Sequence, residues 1–171
     1  MWLLGSAEDM PPRGPYGLVT AGASLHWMDS EVVLGRIARV LAPGAMLAIV
    51  DQRYHRLDWQ GELVDVIVRY SRSPAYDPDF SLPDELAQRG LLDIRGRRET
   101  RPTRFTQPTR EYVEQFHSTA SLARELMSPA VAGRFDDEVK SVVRRYEAED
   151  GRLSMQITAS IVWGRPALPG T

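Results

Sequence analysis

Cysteine is absent from the 171 residues, which excludes a disulfide framework, a thiolate metal site and a cysteine nucleophile. Lysine is nearly absent too: of 21 basic residues only Lys140 is not an arginine, a skew expected of a GC-rich genome rather than of a binding function. The formal net charge of −2 supplies no global field to recruit nucleic acid or an anionic membrane. No apolar run approaches the ~18 residues of a membrane span. Met1-Trp2-Leu3-Leu4-Gly5 lacks the basic lead-in and the length of a signal peptide. These absences lead to the expectation of a cytoplasmic protein with neither nucleic acid nor membrane as partner. His26, His55 and His117 are scattered without HxxxH or HExxH spacing, so no metal site is expected. A GxSxG nucleophile elbow is missing as well.

What is present is ordinary for one globular domain, with 43% hydrophobic and 26% charged residues. The length predicts a single domain with a real core. Asp29 can cap a helix whose apolar face holds Val33, Ile37, Val40 and Leu41, stopped by Pro43-Gly44. Tyr16 to Ala21 before it and Ala45 to Val50 after it are continuous apolar runs, as in strands buried on both faces of a parallel sheet. Strand, helix and strand in about 35 residues make a βαβ unit with a right-handed crossover.

The later chain is more varied. Leu63, Ile67 and Tyr70 have helical spacing, and Ser81 with Asp84 reads as a capping box before a helix that ends near Gly90. Residues 92–106 read as one strand rich in arginine: Arg95, Arg97, Arg98, Arg101 and Arg104. Solvated edge-strand charge explains that run better than phosphate contacts. Helices are expected over 109–117, 119–127 and 131–148, the last with a stripe of Phe135, Val139, Val142, Val143 and Tyr146. After Asp150-Gly151, residues Leu153, Met155, Ile157, Ala159, Ile161 and Trp163 alternate with polar neighbours, predicting an antiparallel strand with one buried face. Pairing between 94–105 and 153–163 is expected.

Two segments invite a functional reading. Gly5-Ser6-Ala7-Glu8-Asp9-Met10-Pro11 is a short polar loop, and Ala21-Gly22-Ala23-Ser24-Leu25-His26-Trp27 follows a parallel strand. Ligands in open α/β sheets bind at the carboxyl ends of strands, where small residues admit them to the backbone. The competing reading of the second segment is a core histidine beside a packed indole.

Taken in order, GSAEDMPP, YGLVTAGASLHWMD and RVLAPGAMLAIVD resemble the middle of the type 11 class I S-adenosylmethionine-dependent methyltransferases, in the branch similar to trans-aconitate methyltransferase. The resemblance continues through Phe116 to Ser121 and the closing strand. It implies an α/β, Rossmann-like class I methyltransferase sheet with a C-terminal antiparallel strand pair. It also implies S-adenosylmethionine as cofactor and a small-molecule methyl acceptor. By resemblance, Ser6, Ala7 and Glu8 border the adenine, while Gly22, His26 and Trp27 lie by the methyl end. His26 is the candidate base, and Tyr54 and His55 are substrate-side candidates. The sequence departs from the family at Ser6, where many relatives have an acid, and at Gly17, where many have Asp.

The family's glycine-rich cofactor loop has no counterpart, since no GxGxxG-like run occurs in the 171 residues. The resemblance therefore implies an N-terminally truncated partial domain, 1–171, lacking the first two strands of the sheet, with Trp2 to Leu4 as the third. Segment 52–92 is read as a variable substrate-side insertion. Activity is expected to be impaired, and the exposed sheet edge is expected to favour self-association. The alternative is a non-catalytic half-domain that pairs with a separate N-terminal half.

Overall fold

A computed structural model describes residues 4–11, 13–55, 57–72, 77, 80–119 and 121–167. Met1, Trp2 and Leu3 lie outside them, and Leu4 belongs to no element, so the expected strand at Trp2 to Leu4 has no structural description. The chain forms two compact units: Met1–Arg53 with Ser81–Arg101 and Thr158–Thr171, and Tyr54–Phe80 with Pro102–Ile157. Segment 52–92 is thus divided between them. No described helix is long and apolar enough to cross a membrane.

The first unit is built on the βαβ motif. Strand β1 (Tyr16–Gly22) runs parallel to β2 (Leu41–Tyr54), with Leu18 opposite Met46 and Gly22 opposite Val50. Helix α1 (Ser30–Val40) joins them. The Asp29 side chain accepts the N–H groups of Glu31 and Val32 at 3.1 and 3.2 Å, satisfying donors that a helix start leaves orphaned. Val33, Leu34 and Ile37 are buried in the first core with Ala21, Leu25, Leu47, Ile49, Leu86 and Leu92. One boundary departs from expectation. Leu41 opens the strand rather than closing the helix, and Pro43-Gly44 lies inside β2, with Gly44 at φ +81°.

Helix α3 (Leu82–Gln88) follows Ser81, but no capping box forms. The Ser81 hydroxyl donates to the Asp84 carboxylate instead of accepting a backbone N–H. Strand β3 (Leu92–Glu99) is antiparallel to the second half of β5 (Arg152–Pro166). Two glycines allow the close approach: a Cβ on Gly164 would lie 2.4 Å from the Asp93 carbonyl oxygen, and one on Gly96 would lie 2.3 Å from the Trp163 ring.

In the second unit, β4 (Thr103–Pro108) is antiparallel to the first half of β5, pairing Arg104 with Gln156 and Thr106 with Ser154. Helices α2 (Gln60–Tyr70), α4 (Thr109–Glu114) and α5 (Pro129–Val143) supply the rest. Their core gathers Trp59, Leu63, Ile67, Tyr112, Phe135, Val139, Val143, Leu153 and Met155. Trp59 donates its Nε1–H to the Tyr112 hydroxyl at 2.8 Å, so the buried indole has its partner.

Four expectations are corrected here. The run 92–106 is two strands, broken where Thr100 exchanges hydrogen bonds with Ala159 and Pro102 brings no N–H. Among the described residues of 119–127 the only regular turn is a 3-10 one, Arg124–Leu126. Ser118 and Thr119 donate their hydroxyls to the carbonyls of Gln115 and Phe116, local bonds that compete with helix. Helix α5 stops at Val143 and tightens into a 3-10 turn, Arg144–Tyr146. The alternation of β5 also changes phase. Leu153 and Met155 are buried, but then Thr158 and Val162 are, while Ile157 and Ile161 are only half-buried.

Candidate functional site

The carboxyl end of β1 sets the geometry of the first candidate site. After Gly22 the chain turns sharply at Ala23, a non-glycine residue at φ +44°, where L side chains crowd the backbone. The Ala23 N–H donates to the Val50 carbonyl at 3.0 Å, which holds the turn against β2. Leu25 then drops into the core at 1% exposure, and Trp27 stays 56% exposed. His26 is exposed beside it, the two rings 4.8 Å apart and tilted by 45°. The core-histidine reading fails: the buried residue of the trio is Leu25. A Cβ on Gly22 would meet nothing within 4 Å, so the space before that backbone is open.

The Ser6–Glu8 segment is tied to this turn. Ser6 caps a 3-10 turn, Ala7–Asp9, accepting the Glu8 N–H at 3.2 Å, while its hydroxyl donates to the Glu8 carboxylate. The other Glu8 oxygen accepts the backbone N–H of Asp29 at 2.8 Å. Arg36 adds a second tie from α1, donating to the Met10 carbonyl at 3.0 Å. Ala7 packs against the first core. The Ser6 hydroxyl, and after it the Asp29 N–H, hold the Glu8 carboxyl below its ordinary value. Ser6, Ala7, Glu8, Gly22, His26 and Trp27 are therefore all in the first unit. The side chains of Ser6 and Glu8 bond each other and Asp29; Gly22, His26 and Trp27 are the exposed members.

Tyr54 and His55 belong to the second unit. The Tyr54 hydroxyl donates to Gln115 Oε1 at 2.7 Å and accepts from Gln107 Nε2 at 3.1 Å. Burial pushes its pKa up. Its ring lies 5.8 Å from that of Tyr112, so Tyr54 is held as part of the core wall. His55 donates its backbone N–H to the Gln156 carbonyl at 2.7 Å, and its side chain lines a cavity of about 510 Å³ with Leu57, Asp58, Trp59, Arg104, Ser154, Met155 and Gln156. In the sequence Arg104 is only one of an arginine-rich run and Ser154 only a polar position in the alternation of the closing strand.

Two features decide what the first site can hold. Open space before the Gly22 backbone, and an exposed indole at Trp27 five residues on, leave room for a ligand at the carboxyl end of β1. Among the described residues no group of three His, Asp or Glu side chains is placed to bind a metal.

No family model matches the chain. Over 69 residues it is 38% identical to uncharacterized methyltransferases of Mycobacterium bovis and Mycobacterium tuberculosis; the match covers 39% of this chain and 28% of those relatives. Among solved structures it is similar to a "putative methyltransferase" from Bacillus halodurans, with 18% identity, a TM-score of 0.50, and coverage of 95% of this chain and 70% of that one. The chain spans well under two thirds of its curated relatives, and the structural likeness shows the fold: a mixed α/β fold of the kind found in that protein.

Proposed function

We propose that this chain carries the methyl-end part of an S-adenosylmethionine-dependent methyltransferase site, acting on a small-molecule acceptor. The reading is that of the type 11 branch given above, and the observation that carries it is the exposed His26–Trp27 pair at the carboxyl end of a parallel strand. Methyltransferase relatives support it. When bound, the cofactor supplies an electrophilic methyl on a sulfonium. The chain's own part is alignment, which contributes much of the rate in a transfer that needs no covalent catalyst. Gly22 admits the ligand to the backbone, Trp27 offers its indole face, and Glu8 with Ser6 holds the turn. His26 accepts a proton from an acceptor that must lose one.

No glycine-rich loop occurs in the 171 residues, so contacts that such a loop would make are missing here. Hydrogen bonds to charged groups contribute on the order of 1.5–3 kcal/mol each. Losing several takes a micromolar ligand to about millimolar or weaker. The test is nuclear magnetic resonance of the labelled chain with S-adenosylmethionine added to about ten times that weak dissociation constant. Resonances of Ala7, Gly22, His26 and Trp27 are expected to shift together, with half-saturation at about millimolar or above. No shift in that set overturns the reading and leaves the non-catalytic half-domain.

A further inference from the structure

Five arginines crowd residues 95–104, and the structure separates them. Arg95 pairs with Asp93 and Arg97 with Asp84, so those two charges are neutralised locally. Arg104 has a different setting. It stands on β4 opposite Gln156, and its Nε–H donates to Ser154 Oγ at 3.1 Å. Nearby on the same face, Arg152 donates from Nη2 to the Thr106 carbonyl at 2.9 Å. Among the described residues neither guanidinium has a carboxylate within ion-pair distance.

Both arginines line cavities of the second unit. One, of about 410 Å³, is bounded by Arg104, Thr106, Asp150, Arg152 and Ser154 among others. The other is the cavity of about 510 Å³ that includes His55. Arg104 and Ser154 belong to both walls. These volumes fall in the range of small-molecule sites, roughly 300–1,000 Å³.

The donor geometry favours an anion. Ser154 Oγ accepts from Arg104 Nε, which fixes the guanidinium plane and leaves the serine proton to donate outward. The Arg104 terminal nitrogens form a planar fork, the shape that binds carboxylate or phosphate in bidentate fashion. Leu57, Trp59 and Met155 give the larger cavity an apolar wall. Asp58 and Asp150 also line the two cavities, and Asp150 is engaged by the Arg152 N–H at 3.2 Å. Two carboxylates near two guanidiniums disfavour a polyanion, because like charges brought together are costly.

We infer that the β4–β5 groove is a binding site for a small organic acid, with Arg104 as its anchor and Ser154 as the residue that orients the anchor. The acid carries one carboxylate or phosphate on a compact apolar body. The site rests on the second unit alone.

The experiment is titration calorimetry of the 171-residue chain with benzoate, phenyl phosphate and neutral benzamide. At least one acid is expected to bind, and the tighter of the two names the acidic group. Benzamide is expected to bind at least about tenfold more weakly, the loss that follows from one charged hydrogen bond. Arg104→Ala is expected to weaken acid binding by a similar factor, with Arg104→Lys recovering part of it. Arg98→Ala, on β3, is expected to change nothing. Arg104 is exposed, so its removal leaves the fold intact, checked by circular dichroism. Absence of acid binding, equal binding of benzamide, or an Arg104→Ala variant that binds like the parent overturns the proposal. Since no methyl transfer is measured, failure here leaves the proposed function untouched, and failure of that function leaves this site standing.

Discussion

Glu8 accepts the backbone N–H of Asp29 at 2.8 Å, across 21 residues of sequence. That bond joins the turn that begins at Ser6 to the residue capping α1, two positions after Trp27. It depends on charge, because a protonated carboxyl is a poorer acceptor. The folded Glu8 pKa lies below the unfolded value, lowered first by Ser6 and then by Asp29. Its contribution is therefore complete above the unfolded pKa of about 4.3 and lost as pH falls through the lower folded value. The Asp29 amide proton is expected to titrate with a midpoint below about 4.3. In Glu8→Gln the part of that titration due to Glu8 should be lost while the turn persists. A midpoint at or above the free value would show that the bond does not hold Glu8 ionised.

His117 is buried, with Nδ1 2.8 Å from the Leu122 carbonyl and Nε2 2.7 Å from Asp136 Oδ1. Arg124 reaches the other Asp136 oxygen at 3.3 Å and is partly exposed. Asp136→Ala leaves a ring nitrogen buried without a partner, a loss of about 1–3 kcal/mol. Arg124→Ala removes the ion pairs that a partly exposed guanidinium makes to Glu114 and Asp136, with a loss of about 1 kcal/mol or less. Urea unfolding of the two variants checks the order. Equal losses would mean that His117 finds another acceptor.

Gly164→Ala puts a methyl 2.4 Å from a backbone oxygen of β3, which no rotamer change relieves. The expected loss is about 1–3 kcal/mol, typical of forced overpacking. Gly61→Ala is the control, since nothing lies within 4 Å of its added Cβ and helix α2 gains a better helix former, worth up to about 1 kcal/mol. Thermal melts of both should move in opposite directions.

These relationships differ in how far the sequence discloses them. The Asp29 cap and the Val33–Ile37 face are local and periodic, and the parallel pair β1–β2 follows from two continuous apolar runs. The phase change in β5 is invisible because Ile157 and Ile161 keep the alternation that the fold abandons; Thr158, a polar residue, is buried in their stead. At Ser118-Thr119 the residue types permit helix, and hydroxyl-to-carbonyl bonds decide against it. In the candidate site, the His26–Trp27 segment was legible as small and aromatic residues after a strand. The Glu8–Asp29 bond was not, since a side chain meeting a distant backbone N–H has no repeating pattern. Nor was the Arg104–Ser154 pair, because strand register alone sets them side by side.

The remaining prediction concerns the edge of the first unit's sheet. Among the described residues β1 pairs with β2 on one side, and it stands at the end of the strand order. Its side chains are mostly exposed, with Leu18 at 58% and Tyr16 at 43%. An unpaired strand with apolar side chains is a template for further pairing, and natural sheets blunt such edges with charge or proline. β1 itself carries neither: Tyr16-Gly17-Leu18-Val19-Thr20-Ala21-Gly22 has no ionisable group besides the tyrosine hydroxyl. We therefore expect the chain to associate as its concentration rises, with β1 at the contact. Leu18→Lys places a charge on the exposed edge at little cost to folding, because Leu18 is already in water, and it should raise the monomer fraction in sedimentation velocity. Val68→Lys, which removes an equally exposed apolar side chain from α2, should leave the monomer fraction unchanged. If both substitutions raise it equally, association is general apolar stickiness and not strand pairing; if neither does, the edge is not the contact.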